Sequence, residues 1–402
     1  MNWRVILLLS LAELLVMSLW FSATAVAPAL QAHWSIGGAQ AAWLTMAVQV
    51  GFVIGAVLSA LLNVPDLWEP RKVMASGAIT GAALTASIPL FDPGFGSVVA
   101  LRLATGMALA LVYPVGMKIM ATWTRKHRGL GLGLLVGALT VGSASPHLVR
   151  AFGGVDDWKL VLYTVSALAV GGAGIALAAG RLGPHRAVIP PFEWRHMGRA
   201  IRDRPLRLAN LGYLGHMWEL YAMWTWIPVF LTAAYASAPR TEPHAATLAS
   251  LGAFFTIAAG GLGSLAAGRL ADRWGRCNTT ILSMVISGSC ALTIGLLSRG
   301  HPLSVTVVAL VWGFTIVADS AQFSTSVSEL SEPEYMGTQL TMQTAMGFLL
   351  TLASIQLIPV LVDTIGWRWA FASLAVGPAA GSWAMAALKR SPEATRLAGG
   401  RG

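Results

Sequence analysis

Two short runs of this chain place the same three kinds of side chain at the same spacing. Glu13-Leu14-x-x-Met17-x-x-Trp20 returns 206 positions later as Glu219-Leu220-x-x-Met223-x-x-Trp226. Separations of four and seven residues put each acid, methionine and tryptophan on one face of a helix. Both runs lie inside apolar stretches, where an ionisable residue is costly and by default a functional candidate. A carboxylate alone in hydrocarbon is hard to keep charged, so it can take up and release a proton. For each Glu, a proton or substrate role and a structural pairing are both open. Met and Trp at this spacing, taken alone, read as packing.

Three other ionisable residues interrupt apolar runs: Arg102, Lys118 and Asp319. A buried guanidinium such as that of Arg102 can bind a carboxylate or oxyanion through two parallel bonds; it can equally form a structural ion pair. Lys118 lies about one turn from the end of its run and is expected to snorkel to the interface. Asp319 has no evident partner in sequence, which leaves proton relay and ion pairing open. Trp218, Tyr221, Trp224 and Trp226 cover more than one helical face, part expected to line a pathway and part to meet lipid. Trp20, Tyr221 and Trp226 are therefore candidates to contact a substrate. His147 and His216 can titrate, yet lone histidines are more often hydrogen-bonded fixtures, and no metal-ligand spacing links them. No phosphate-cradling loop or nucleophile elbow is present. Neither a cofactor nor enzymatic chemistry is expected, and coupling to an ion gradient is the default source of energy.

The elements that must position these residues are membrane helices. The chain of 402 residues is 55% hydrophobic and only 11% charged, with a mean hydropathy of +0.66. Soluble domains carry about a quarter charged residues. Spanning helices need roughly 20 apolar residues each and bond their own backbone, as hydrocarbon demands. Twelve such runs are expected, at 5–30, 39–62, 73–90, 97–122, 129–151, 158–180, 208–233, 246–268, 279–298, 303–327, 338–362 and 367–388. The first imitates a signal peptide, but it is too long for one and is interrupted by Glu13. Pro28, Pro114, Pro146 and Pro228 lie in or near helix ends, where they can hinge or kink.

The net charge of +10 does not point to nucleic acid. Of 27 Lys and Arg, 20 fall on one set of alternate connections and five on the other. That asymmetry places both termini in the cytoplasm of a multi-pass protein of the cell (inner) membrane. The long basic connection 181–207 sets Trp194, Met197 and Ile201 against Arg195, Arg199 and Arg202. It reads either as a helix on the inner leaflet, touching membrane lipid, or as a solvated linker. Cys277 and Cys290 imply no disulfide framework.

The repeat extends beyond the Glu runs. Asp66 and Trp68 correspond to Asp272 and Trp274 at the same offset, and Trp158-Lys159 corresponds to Trp367-Arg368 at an offset of 209. Fixed-period similarity of this kind marks a duplicated unit. Six spans per half give both halves the same orientation, as in parallel-repeat transporters. The expected organisation is a bundle over 1–180, the linker 181–207, and a second bundle over 208–402.

Gly268–Arg276, GRLADRWGR, resembles the loop signature G-x-x-x-D-R-x-G-R of the major facilitator superfamily. Arg102-Leu-Ala-Thr-Gly106 resembles that superfamily's fourth-helix pattern R-x-x-x-G. The resemblance implies an all-α polytopic membrane protein, with two parallel six-helix repeats. It also implies secondary transport of a small-molecule substrate by alternating access, a monomeric state, and a role for Arg102 in coupling proton to substrate. It further implies a conformational latch at Gly268, Asp272, Arg273, Gly275 and Arg276. There, Asp272 would accept helix-terminal N–H groups and arginine bonds in one state and lose them in the other. The first-half counterpart holds Asp66 and Arg71, but Glu69 and Pro70 replace the expected Gly and Arg, so its latch must differ.

The stretch 116–148 and the Gly366-Trp-Arg-Trp369 helix start resemble the bacterial cyanate- and nitrate-permease-like branch. Two departures count against a true nitrate carrier or a drug antiporter. Glycine-rich signatures are not evident in the fifth and eleventh helices, and Gly142 and Pro146 are separated rather than paired. The resulting expectation is a proton-coupled transporter of a small organic or inorganic anion, with Glu13 and Glu219 carrying protons. The rival transporter is a proton-driven exporter of cationic or amphipathic compounds. The rival of another class is a membrane sensor that does not translocate.

Overall fold

The computed structural model describes residues 2–62, 64–124, 128–185, 194–239, 241–332 and 334–402, and the regular elements among these residues are helices. The side chains of residues 65, 66, 128–130, 132 and 194 are outside this description. The helices labelled here are α1 (3–34, interrupted), α2 (Gly38–Leu61), α3 (Pro70–Phe91), α4 (Phe95–Trp123), α5 (Arg128–Gly153), α6 (Trp158–Ala179), α7 (Arg204–Ala236), α8 (Glu242–Trp274), α9 (Arg276–Leu297), α10 (Pro302–Leu330), α11 (Met336–Ile365) and α12 (Trp367–Lys389). Among the described residues, nine are long and apolar enough to cross a membrane: α2, α3, α4, α6 and α8 to α12. The other three have local reasons to fall short. α1 is broken, α5 carries Pro146, His147 and Arg150, and α7 carries Asn210, His216, Glu219 and several Trp and Tyr.

The duplication is visible in the boundaries. α3 and α9 start and stop 206 residues apart, and α4 and α10 start and stop 207 apart. The close packings recur too: α3 against α4 and α6 in the first repeat, α9 against α10 and α12 in the second.

Three helices expected to be continuous are interrupted. α1 runs as Trp3–Met17, Ser22–Ala25 and Ala27–Trp34. α4 stops at Leu109 and resumes at Tyr113. There Pro114 has no N–H for the carbonyl of Ala110, which ends the ladder. α10 stops at Ala318 and resumes at Ser320, so Asp319 occupies the break and not a helix interior. Pro28 and Pro114 open the pieces that follow such breaks, where their fixed φ is already suitable.

The chain forms two compact units, residues 1–187 with 227–258, and residues 188–226 with 259–402. In the first, α2 and α4 approach closely at Gly106, where an added Cβ would sit 2.0 Å from the Val48 carbonyl oxygen. Only glycine permits that approach. Leu30, Leu44, Ile88, Val98 and Trp158 bury one end of this unit. Also within it, buried Arg150 of α5 donates to the Ser250 hydroxyl of α8 at 3.2 Å. In the second unit, α9 lies against α10 and α12, and α7 meets α12 where Gly215 faces Gly377 and Gly381.

Candidate functional site

Arg102 is fully buried in α4, and its surroundings follow from the break in α1. Interrupting a helix frees carbonyl groups that hydrocarbon cannot satisfy. Nε of Arg102 donates to Leu44 O at 3.2 Å, Nη1 to Leu19 O at 3.0 Å and to Ser22 Oγ at 3.1 Å, and Nη2 to Trp20 O. Four of the five guanidinium N–H groups are thereby donated to the first unit's own oxygens. The side chain that was expected to hold an anion instead caps a broken helix. Close approach at Gly106, one turn along α4, brings it within reach of the Leu44 carbonyl. Trp20, also buried, packs its ring at a tilt against Phe52 of α2, 5.0 Å between ring centroids.

The two repeated acids are both buried, and they are held differently. Glu219 accepts from Trp312 Nε1 at 2.7 Å and from Ser287 Oγ at 2.9 Å, so both carboxylate oxygens have donors from α10 and α9. Glu13 has no hydrogen-bond partner on either oxygen among the described residues. Its carboxylate lies against α4, where a Cβ built on Gly116 would be 2.7 Å from Oε2 and 3.8 Å from Leu135 of α5. Gly116 is thus the space into which this acid fits.

Asp319 has the partner that sequence did not reveal. Its Oδ1 lies 2.8 Å from His216 Nδ1, and both side chains are 2% exposed. The other ring nitrogen of His216 is 2.8 Å from Ser320 Oγ. Asp319 is 103 positions from His216 and stands at a helix break, so no periodicity links them. The aromatic cluster of α7 is turned inward more than expected. Tyr221, Trp224 and Trp226 are buried, and of the four only Trp218 is half-buried. Trp226 Nε1 donates to Ile355 O of α11 at 2.9 Å, and the Tyr221 ring packs on Phe348 at 5.1 Å. His147 is buried with neither ring nitrogen hydrogen-bonded among the described residues.

At the signature loop, Arg276 is the hub. It donates to Asp272 Oδ1 at 3.2 Å, Gln322 Oε1 at 2.9 Å and Glu329 Oε1 at 3.1 Å, tying the α8–α9 turn to α10. Gly275 has φ 95°, a conformation that favours glycine and starts α9 directly after α8. Arg273 is exposed, and Gly268 has open space around it. A feature invisible in sequence is the tail: Glu329 Oε2 accepts from Ala398 N at 3.0 Å, and Arg401 donates to the Asp272 carbonyl. In the first repeat, Arg71 turns instead to Glu69 at 2.5 Å and to Leu177 O of α6 at 3.1 Å. The side chain of Asp66, expected in that latch, lies outside the described residues.

The linker's last turns belong to the second unit. Arg199 lies 4.2 Å from the Tyr335 ring centroid and 3.4 Å from Glu332, while Ile201 is exposed. The helical face expected over 194–202 is reduced to two short turns, Trp194–His196 and Arg199–Arg202. Among the described residues no group of three His, Cys, Asp or Glu is placed to hold a metal ion.

No curated protein matches the chain. The crystal structure of a mutant of the nucleoside transporter NupG superposes with a TM-score of 0.72 over 96% of this chain and 99% of that one, at 17% identity. A second structure of NupG gives 0.70 over 97% and 100%, at 16% identity. At such identities the likeness is one of fold. The family model described as Major Facilitator Superfamily matches residues 9–355 and 240–402, and the chain belongs to that superfamily of secondary transporters.

Proposed function

We propose that this transporter couples a small solute to proton movement, and that Glu13 carries the proton. The observation that carries this reading is the isolation of that carboxylate. It is fully buried, neither oxygen has a hydrogen-bond partner among the described residues, and Gly116 leaves it room. A buried charge without partners is unstable, so the group is better neutral at rest and charged only briefly. That is the behaviour a proton carrier needs. Glu219 has donors on both oxygens, which suits a fixed carboxylate better than a mobile proton site. Rocking of 1–180 against 208–390, with both termini in the cytoplasm, would then expose the bound solute and proton to alternate sides.

The anion expected from Arg102 loses its anchor, because that guanidinium is committed to four oxygens of α1 and α2. The solute is therefore proposed as a small molecule contacted by aromatic side chains, with Trp20, Tyr221 and Trp226 as candidates. The test is pH change inside proteoliposomes while nucleosides, small anions and small cations are added outside in turn. We expect one class to move protons with it. Solute entry without any proton signal would contradict the coupling and leave a facilitator. Binding with no entry would favour the sensor.

A further inference from the structure

We infer that His216 and Asp319 form a second proton-binding site, located at the break in α10 and read out by Ser320. The inference rests on the proton-coupled reading above for its biological use, but its chemistry stands on geometry. Asp319 is the residue at which α10 stops, and Ser320 is the first residue of the piece that follows. His216 reaches both from α7, with Nδ1 2.8 Å from Asp319 Oδ1 and Nε2 2.8 Å from Ser320 Oγ.

The Asp319 carboxylate, 2.8 Å from Nδ1, favours the ring proton on that nitrogen by its charge. Neutral His216 therefore presents a bare Nε2, which can only accept from the Ser320 hydroxyl. Binding a proton makes Nε2 a donor as well. The Ser320 oxygen must then accept, and its own hydrogen must turn to another acceptor. The new N–H forms as a hydronium ion from solvent gives up one O–H bond and leaves as water; no bond within the protein breaks. One proton reverses one hydrogen bond, at the residue where the two pieces of α10 join.

The surroundings favour a closed, two-partner site. Tyr213 and Phe323 lie at 6.1 and 5.6 Å between ring centroids from His216. Among the described residues, the charged groups facing the pair are its own two members and Glu219, one turn along α7 and within electrostatic reach of Asp319. The neighbouring turns of α7 meet Gly347 of α11 and Gly377, Gly381 and Met385 of α12, none of them titratable.

The test uses the proton as probe. The full chain is purified in micelles with ¹⁵N-labelled histidine, the His216 signals are assigned with H216Q, and spectra are followed from alkaline to acid pH. We expect wild-type His216 to hold its single proton on Nδ1 at alkaline pH, and to become doubly protonated on acidification. D319N should reduce the Nδ1 preference at least fivefold. S320A, a milder change should D319N fail to fold, should keep the tautomer and shift the Nε2 signal. A proton on Nε2 at alkaline pH, a ring silent to acidification, or an Nε2 signal unmoved by S320A would overturn the inference. The outcomes separate the two proposals. A dyad that takes the proton while no solute moves protons in proteoliposomes leaves the site standing and removes the coupling. Proton movement with a silent ring does the reverse.

Discussion

Glu13 and Glu219 occupy the same register of a duplicated helix, and the molecule treats them differently. Glu219 points to α9 and α10, where Ser287 and Trp312 donate to it. At the offsets of those helices, the first repeat has Gly81 in place of Ser287 and Thr105 in place of Trp312. Gly81 has no hydroxyl to offer, and Thr105 donates to its own helix at Leu101 O. Glu13 turns instead toward Gly116, whose counterpart in α10 is the bulky Phe323. Duplication therefore supplied two equal acids, and a few neighbouring substitutions made one a fixed acceptor and the other an isolated titratable group. Equivalent position does not imply equivalent role when partners have diverged.

Removing what supports each acid should break this contrast, beginning with the largest effect. Hydrogen bonds to a charged group are each worth about 1.5–3 kcal/mol. R102M, which removes the four N–H donors that Arg102 gives to α1 and α2, is expected to lose several times that, seen as a collapse of thermal unfolding temperature in detergent. Retention of the wild-type temperature would show the break to be self-supporting. Next, E219A leaves the buried Trp312 N–H unpaired and should cost about 1–3 kcal/mol in the same assay. E13A, with no partner to strand, should cost less.

The two latches give a parallel contrast in rate. R276A removes three side-chain partners and is expected to slow transport at least tenfold. R71A, whose partners are Glu69 and one carbonyl, should slow it less than threefold. Equal effects on transport would mean that both loops serve only topology.

The smallest effect is a pH dependence at a helix end. The ring of His33, within hydrogen-bond reach at 2.7 Å, is the main influence holding the half-exposed Asp92 carboxyl below its usual range, with Trp34 assisting. A carboxyl lowered in the folded state adds stability above its unfolded value of about 4, and this is lost as pH falls through the folded value. The stability difference between wild type and D92N should therefore be constant near neutrality and close below about pH 4. For so exposed a pair it will be slight. A difference unchanged at low pH would mean that the pair contributes nothing.

Much of the fold was legible because its signals are periodic. Apolar run length, basic alternation and a 206-residue repeat each report on a bilayer and a duplication. The signature loop was legible because its chemistry is local: Asp272 and Arg276 are one helical turn apart and bond as such. What stayed hidden depends on long-range packing. The type of Arg102 points to a carboxylate, anion or ion-pair partner, but three of its four partners are backbone carbonyls, which any residue carries. The break in α10 and the reach of His216 place an acid and a base together across 103 positions. The seating of the tail beside Asp272 and Glu329 was likewise beyond reach.

The measurement that bears most directly on the role of Glu13 is solute-driven pH change in proteoliposomes holding wild type, E13Q or E219Q at matched amounts. We expect E13Q to abolish proton movement while solute exchange persists, and E219Q to retain proton movement at a reduced rate. Proton movement lost in E219Q and kept in E13Q would contradict the assignment outright, and place the carrier in the repeat where the acid already has its partners.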